Sequence, residues 1–288
     1  MTRSRTTFDL SGVVVALDGL PAEAGARLLA QWSAFLADDR PPFLELAVRL
    51  ATRPAPPSAF APKRMRSALA ATHARFEMPE GLAEVDARGR GRIELTRGLG
   101  TREFFTLLNL LRACLAWRLP DRGAAMLHAA GLVIDGRGFL LVGAEGAGKS
   151  TWARLGETVG AHVVSDDLVL VDPEADGYAL LGAPFRSTHP VTYRPGRWPL
   201  AAILFPRHGT APRLQPTPGL IARARLTANL TFVADAPAAD GRIPRVVDRL
   251  ARVVRCEELT FALDAGFVEL LRGIDRPPDG RDPAGART

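Results

Sequence analysis

The stretch from Phe139 to Leu155, FLLVGAEGAGKSTWARL, constrains this chain more than any other. An apolar run, Phe139–Val142, leads into a glycine-rich loop and then into a helix-compatible segment. Gly143, Gly148, Lys149 and Ser150 fit the pattern G-x-x-x-x-G-K-[ST] of phosphate-binding loops. The spacing has a physical reason. Gly143, Gly146 and Gly148 can take positive φ and leave room for backbone N–H groups to surround a phosphate. The helix that follows adds unpaired N–H groups and the positive end of its dipole. The expected nucleotide-binding segment is therefore Gly143, Ala144, Glu145, Gly146, Ala147, Gly148, Lys149, Ser150 and Thr151. Lys149 would reach the β and γ phosphates and the Ser150 hydroxyl would hold Mg²⁺.

Composition sharpens the reading of Lys149. Of 37 basic residues only Lys63 and Lys149 are lysines. A chain that nearly always uses Arg keeps Lys where a compact point charge is needed. The net charge of +6 is spread along the chain without an aromatic-interleaved basic patch, so nucleic acid is not an expected partner. Cys114 and Cys256 lie far apart and outside any C-x-x-C pattern, as expected of reduced thiols in a cytoplasmic protein. The apolar run Gly12–Leu17 is too short for a signal peptide. The helix expected over Phe104–Leu119 is interrupted by Asn109, Arg112 and Arg118, which marks a packed helix and excludes a membrane span.

Periodicity places strands at Leu10–Leu17, Phe43–Leu50, Ala74–Met78, Ala83–Asp86 and Arg92–Leu95. Helices are expected at Ala22–Leu36 and Thr101–Leu119, and a Pro-rich connection at Arg53–Lys63. After Pro120-Asp121-Arg122-Gly123 the character changes. Strands are expected at Met126–Ile134 and Gly138–Val142, joined by a turn at Asp135–Arg137. Further strands are expected at Ala161–Val164, Leu168–Val171, Tyr178–Leu181, Leu200–Phe205 and Leu259–Leu263. Helices follow the loop to Thr158 and recur at Ile221–Phe232, Pro244–Val254 and Ala265–Leu271. The chain thus divides into an N-terminal α+β module (1–120), a nucleotide-binding α/β domain (121–274) and a disordered tail (275–288).

Asp166-Asp167 ends the strand that returns from the loop helix, 18 positions after Lys149. One helix and one return strand fit that span, which brings the pair beside the loop. One carboxylate there can hold Mg²⁺ and the other can take a proton from an attacking hydroxyl. His128, on the strand before the loop, is a core residue or part of the site.

With His128, the loop, Gly160 and Asp166-Asp167 in this order, the segment LHAAGLVIDGRGFLLVGAEGAGKSTWARLGETVGAHVVSDDLVLVD, Leu127 to Asp172, resembles the catalytic core of the HPr kinase/phosphorylase family. Gly182–Phe185 and Pro199–Phe205 look more like the HPr-kinase-related proteins, which include kinases of modified peptides. The resemblance implies a P-loop nucleotide-binding domain of the HPr kinase C-terminal type, with a mixed sheet. It implies ATP-dependent transfer of a γ-phosphoryl group to a Ser/Thr hydroxyl of a protein or peptide. Asp167 would be the base, His128 an active-site residue, Lys149 the phosphate ligand, and Ser150 with Asp166 the Mg²⁺ ligands. The chain departs from the family at Thr151, where the family has Glu. It also lacks the family's second signature in Leu181–Leu200, which argues against the phosphorylase half-reaction and against HPr as substrate. Arg186, Arg194 and Arg197 are candidates for a phosphate clamp or are plain loop arginines. A homo-oligomer is expected, with no membrane partner. Two alternatives stand beside this. Leu168–Val171 and Asp172 have the form of a Walker B strand, as in an ATPase, or the chain is a nucleotide-binding scaffold with little turnover.

Overall fold

A computed structural model describes residues 5–38, 40–54, 65–97, 101–185, 193–232 and 241–274. The architecture is mixed α/β, built on two sheets. The first comprises β1 (Arg5–Asp9), β2 (Val14–Asp18), β3 (Leu44–Pro54), β4 (Arg66–Leu69), β5 (His73–Met78), β6 (Gly81–Asp86) and β7 (Arg90–Arg97), in the spatial order β1-β2-β3-β7-β6-β5-β4. Helix α1 (Ala22–Trp32) links the parallel neighbours β2 and β3. Alternation is clean in β3: Leu44, Leu46 and Val48 are buried, while Glu45 on the other face pairs with Arg5 at 2.6 Å.

Helix α2 (Thr101–Arg118) packs against β3, β5, β6 and β7. Its apolar residues are buried nearly all round, from Phe104 to Trp117, as in a helix enclosed on most sides. One buried cluster runs from the first sheet through α2 into the second half of the chain.

The second half contains β8 (Ala125–Ile134), β9 (Arg137–Val142), α3 (Lys149–Thr158), β10 (His162–Ser165), β11 (Leu168–Pro173), β12 (Tyr178–Leu181), β13 (Arg197–His208), β14 (Arg213–Pro216), α4 (Gly219–Ala228), α5 (Arg242–Val253), β15 (Arg255–Phe261) and α6 (Phe267–Arg272). Five of these strands close on themselves: β8 pairs with β9 and β11, β11 with β12, β12 with β13, and β13 with β9. Helices α3 and α6 cover one face through a separate apolar cluster, in which Trp152 stacks on Phe267 at 5.6 Å.

The structure corrects several expected boundaries. Leu10–Leu17 is not one strand. Ser11 and Gly12 adopt φ of 57° and 106°, so residues 10–13 turn, and β1 precedes them. Strands β1, β4 and β14 are short and weakly apolar, and periodicity does not mark them. Arg53 and Pro54 belong to β3; the rest of the Pro-rich connection, like the 275–288 tail and Arg186, lies outside the described residues. Among the described residues, no helix is long and apolar enough to cross a membrane.

Candidate functional site

Strand β9 is buried from Gly138 to Val142 and delivers the chain directly into the glycine loop. The loop ends at Gly148, whose φ of +90° lets α3 start at Lys149. Gly146 also has positive φ, +77°. Gly143 does not, contrary to expectation; its role is close approach, since a Cβ there would lie 2.9 Å from both Ala147 Cβ and Pro206 Cγ. No side chain caps the start of α3, so its first-turn N–H groups remain open to an anion. The Lys149 ammonium folds back onto the loop, donating to the carbonyls of Gly143 (2.6 Å) and Ala144 (2.8 Å). Desolvation lowers its pKa from the ordinary lysine value, with Asp167, Glu145 and Asp166 opposing.

The acidic pair owes its place to a strand interrupted at the right point. β10 and β11 run antiparallel to the same side of β8, with Ser165 opposite Gly131 and Leu168 opposite His128. A register shift between Val163 and Ser165 loosens the ladder just before the gap that Asp166 and Asp167 occupy. The gap is still fixed. Ala129 N–H donates to the Asp167 carbonyl at 3.0 Å, and Ser165 Oγ accepts from the N–H groups of Asp167 (3.2 Å) and Leu168 (3.3 Å). His128 Nδ1 lies 3.1 Å from Asp167 Oδ1. Asp167 is half-exposed, whereas Asp166 is 4% exposed.

A cavity of about 930 Å³ unites these groups. His128, Glu145, Gly146, Gly148, Lys149, Ser150, Thr151, Asp166 and Asp167 all line it. Gly143, Ala144 and Ala147 shape the loop behind. The opposite wall was not foreseen. It comes from α1 and α2, through Gln31, Thr101, Phe105, Leu108 and Arg112 among others. Thr101, Phe105, Leu108 and Arg112 follow the i, i+4, i+7, i+11 spacing of one helix face. Arg112 is the chemically distinctive member. Its Nε is buried and without a hydrogen-bond partner, and its guanidinium carbon sits 5.4 Å from the Phe185 ring centroid. Burial lowers its pKa, and the nearby Asp167 charge works in the opposite direction. The sequence does carry a signal for it: a single Arg in the middle of an apolar helix.

The loop arginines occupy other places. Arg194 is exposed and Arg197 pairs with Asp172 at 2.9 Å; neither lines the cavity. Asp172 is buried at the other end of β11 from Asp167, and Arg122 holds it from a second side at 2.8 Å. It also lies outside the cavity.

Both Asp166 carboxylate oxygens are buried with no hydrogen-bond partner, an arrangement that calls for a cation. Among the described residues, no three His, Cys, Asp or Glu side chains form a metal cage. Mg²⁺ needs none, because one or two carboxylates with substrate phosphates and water suffice. Asp166 and Ser150, which both line the cavity, fit that requirement. No protein-family model matches the chain, and no curated protein matches it.

Proposed function

We propose that the chain is an ATP-dependent kinase of the HPr-kinase-like P-loop type that phosphorylates a Ser/Thr hydroxyl of a protein or peptide. One observation carries the reading: the Asp167 carboxylate, within hydrogen-bonding distance of His128 Nδ1, opens onto the same cavity as Lys149 and Ser150. The loop amides and Lys149 hold the phosphate chain. The acceptor oxygen forms a bond to the γ phosphorus as the bond to the bridging β–γ oxygen breaks, and ADP leaves. Asp167 Oδ takes the hydroxyl proton. With Nδ1 protonated, His128 donates to Asp167 and fixes the carboxylate's orientation. Ser150 and Asp166 would hold Mg²⁺, which supplies charge neutralisation on the phosphates. An Asp base is weak, yet phosphoryl transfer depends chiefly on positioning and electrostatics.

The Walker B alternative is less well supported. Asp172 already faces two guanidiniums, and a carboxylate so paired is poorly placed to bind a cation. The test is the Asp167→Asn variant. Calorimetry with a non-hydrolysable ATP analogue should give affinity within about threefold of wild type, while phosphotransfer falls by roughly 10²–10⁴. Unchanged transfer would remove Asp167 from the role of base.

A further inference from the structure

We propose that Arg112 is the clamp on the transferred phosphoryl group, its guanidinium donating to the γ-phosphate oxygens across the cavity from the glycine loop. The inference rests on the kinase reading and adds to it a residue from the N-terminal half of the chain.

Three observations support it. First, the side chain lies on the face of α2 that lines the cavity shared with Lys149 and Asp167. Second, a buried guanidinium is normally matched by carboxylates or carbonyls. Arg112 is partly buried; among the described residues it forms no hydrogen bond or ion pair, its Nε is buried and unsatisfied, and the Asp167 charge acts on it only from a distance. The other inward arginines each face a carboxylate: Arg118 pairs with Asp121, though its own Nε is also buried and unsatisfied, and Arg122 pairs with Asp172. Third, the contact with Phe185 does not meet the need. A ring face attracts the cation, but the five N–H donors lie in the guanidinium plane and still require acceptors.

A phosphoryl group is the ligand that fits. Its tetrahedral oxygens accept two parallel N–H bonds, the geometry at which Arg exceeds Lys. During transfer the acceptor oxygen–phosphorus bond forms while the bond to the β-phosphate oxygen breaks. Charge on the three equatorial oxygens is met by the Arg112 donors. No proton leaves Arg112. A consequence follows for assembly: the site is complete only when α2 is seated against the strands that carry the loop and Asp167.

The experiment uses full-length protein with Arg112→Met, which keeps an apolar stem and removes the charge. The quantity read is the affinity ratio between a non-hydrolysable ATP analogue and ADP, since only the former carries the γ phosphate. Arg112→Met should lower that ratio by about 10–100-fold and leave ADP binding within about twofold. Transfer should fall by about 10³-fold. Removing a partly buried charge that has no ion-pair partner should also raise the melting temperature of unliganded protein by about 2–4 °C. A structural role on Phe185 predicts the opposite sign. If the methionine variant does not fold, Arg112→Lys is read in the same way, with a smaller drop expected because the point charge remains. An unchanged ratio in a folded variant overturns the assignment and leaves the kinase reading standing. Wild-type protein that binds neither nucleotide overturns both.

Discussion

Asp167 and Asp166 are adjacent in sequence and opposite in environment. Asp166 is buried with both oxygens unmet, and Asp167 is half-exposed with His128 against it. In the proposed mechanism that difference would separate a cation ligand from a proton acceptor. His128 acts through Asp167 in this account, as a positioning residue. His128→Ala should reduce phosphotransfer by about 10–100-fold with nucleotide affinity unchanged. His128→Asn, which can still donate a hydrogen bond, should recover part of the loss. Steady-state kinetics on the three proteins checks this: equal losses in both variants would deny the orienting bond. Residue identity alone signalled the loop, Lys149 and the acidic pair. It left His128 undecided, because only register shows that it lies opposite Leu168, next to Asp167.

Helix α3 is bracketed by two left-handed glycines, Gly148 at φ +90° and Gly160 at φ +86° just past its end. Each would be strained as alanine, by about 1–2 kcal/mol. Space is not the cause: a Cβ on Gly148 meets Phe261 at an ordinary 3.4 Å, and one on Gly160 meets nothing within 4 Å. The two substitutions should therefore lower the melting temperature by similar amounts and differ in function. Gly148→Ala displaces the loop amides and should weaken ATP binding about tenfold or more, whereas Gly160→Ala should leave it within about twofold. Calorimetry on both variants decides; equal weakening would show that the loop conformation is not what binds phosphate. At this scale most elements were legible, since the β8–β9 hairpin, α2 and α3 announce themselves by apolar run, turn chemistry and helical spacing. The short strands β1, β4 and β14 were not, because pairing with a neighbour defines them more than their own pattern does. The Ser11-Gly12 turn was legible in principle as a Ser-Gly breaker inside an apolar stretch.

The cavity is lined by residues far apart in the chain, from Arg27 to Asp167, and closure of five strands on themselves could not be read from any local pattern. The contribution of α2 to the site is of the same kind: Arg112 faces a cavity that exists only after long-range packing. A second junction ties the halves together. The Ser11 hydroxyl donates to the Gly182 carbonyl at 2.7 Å, and Arg122 and Arg197, which hold Asp172, also donate to the carbonyls of Gly12 and Ser11. Asp172 is thus a structural anchor in this account. Asp172→Asn strands two half-exposed guanidiniums and should cost about 2–3 kcal/mol, below the full range for buried pairs because both keep contact with solvent. Denaturant unfolding measures it, and a change under about 0.5 kcal/mol would contradict the anchoring role.

The most direct test of the central claim follows the γ phosphate itself. Wild-type protein, Asp167→Asn and Asp172→Asn are each incubated with Mg²⁺ and γ-labelled ATP and a degenerate peptide library containing Ser and Thr, at a temperature where all three are folded. Label is expected on peptide hydroxyls with wild type and Asp172→Asn, and is lost with Asp167→Asn. Label released only as inorganic phosphate by wild type, unaffected by Asp167→Asn and abolished by Asp172→Asn, would contradict the kinase reading.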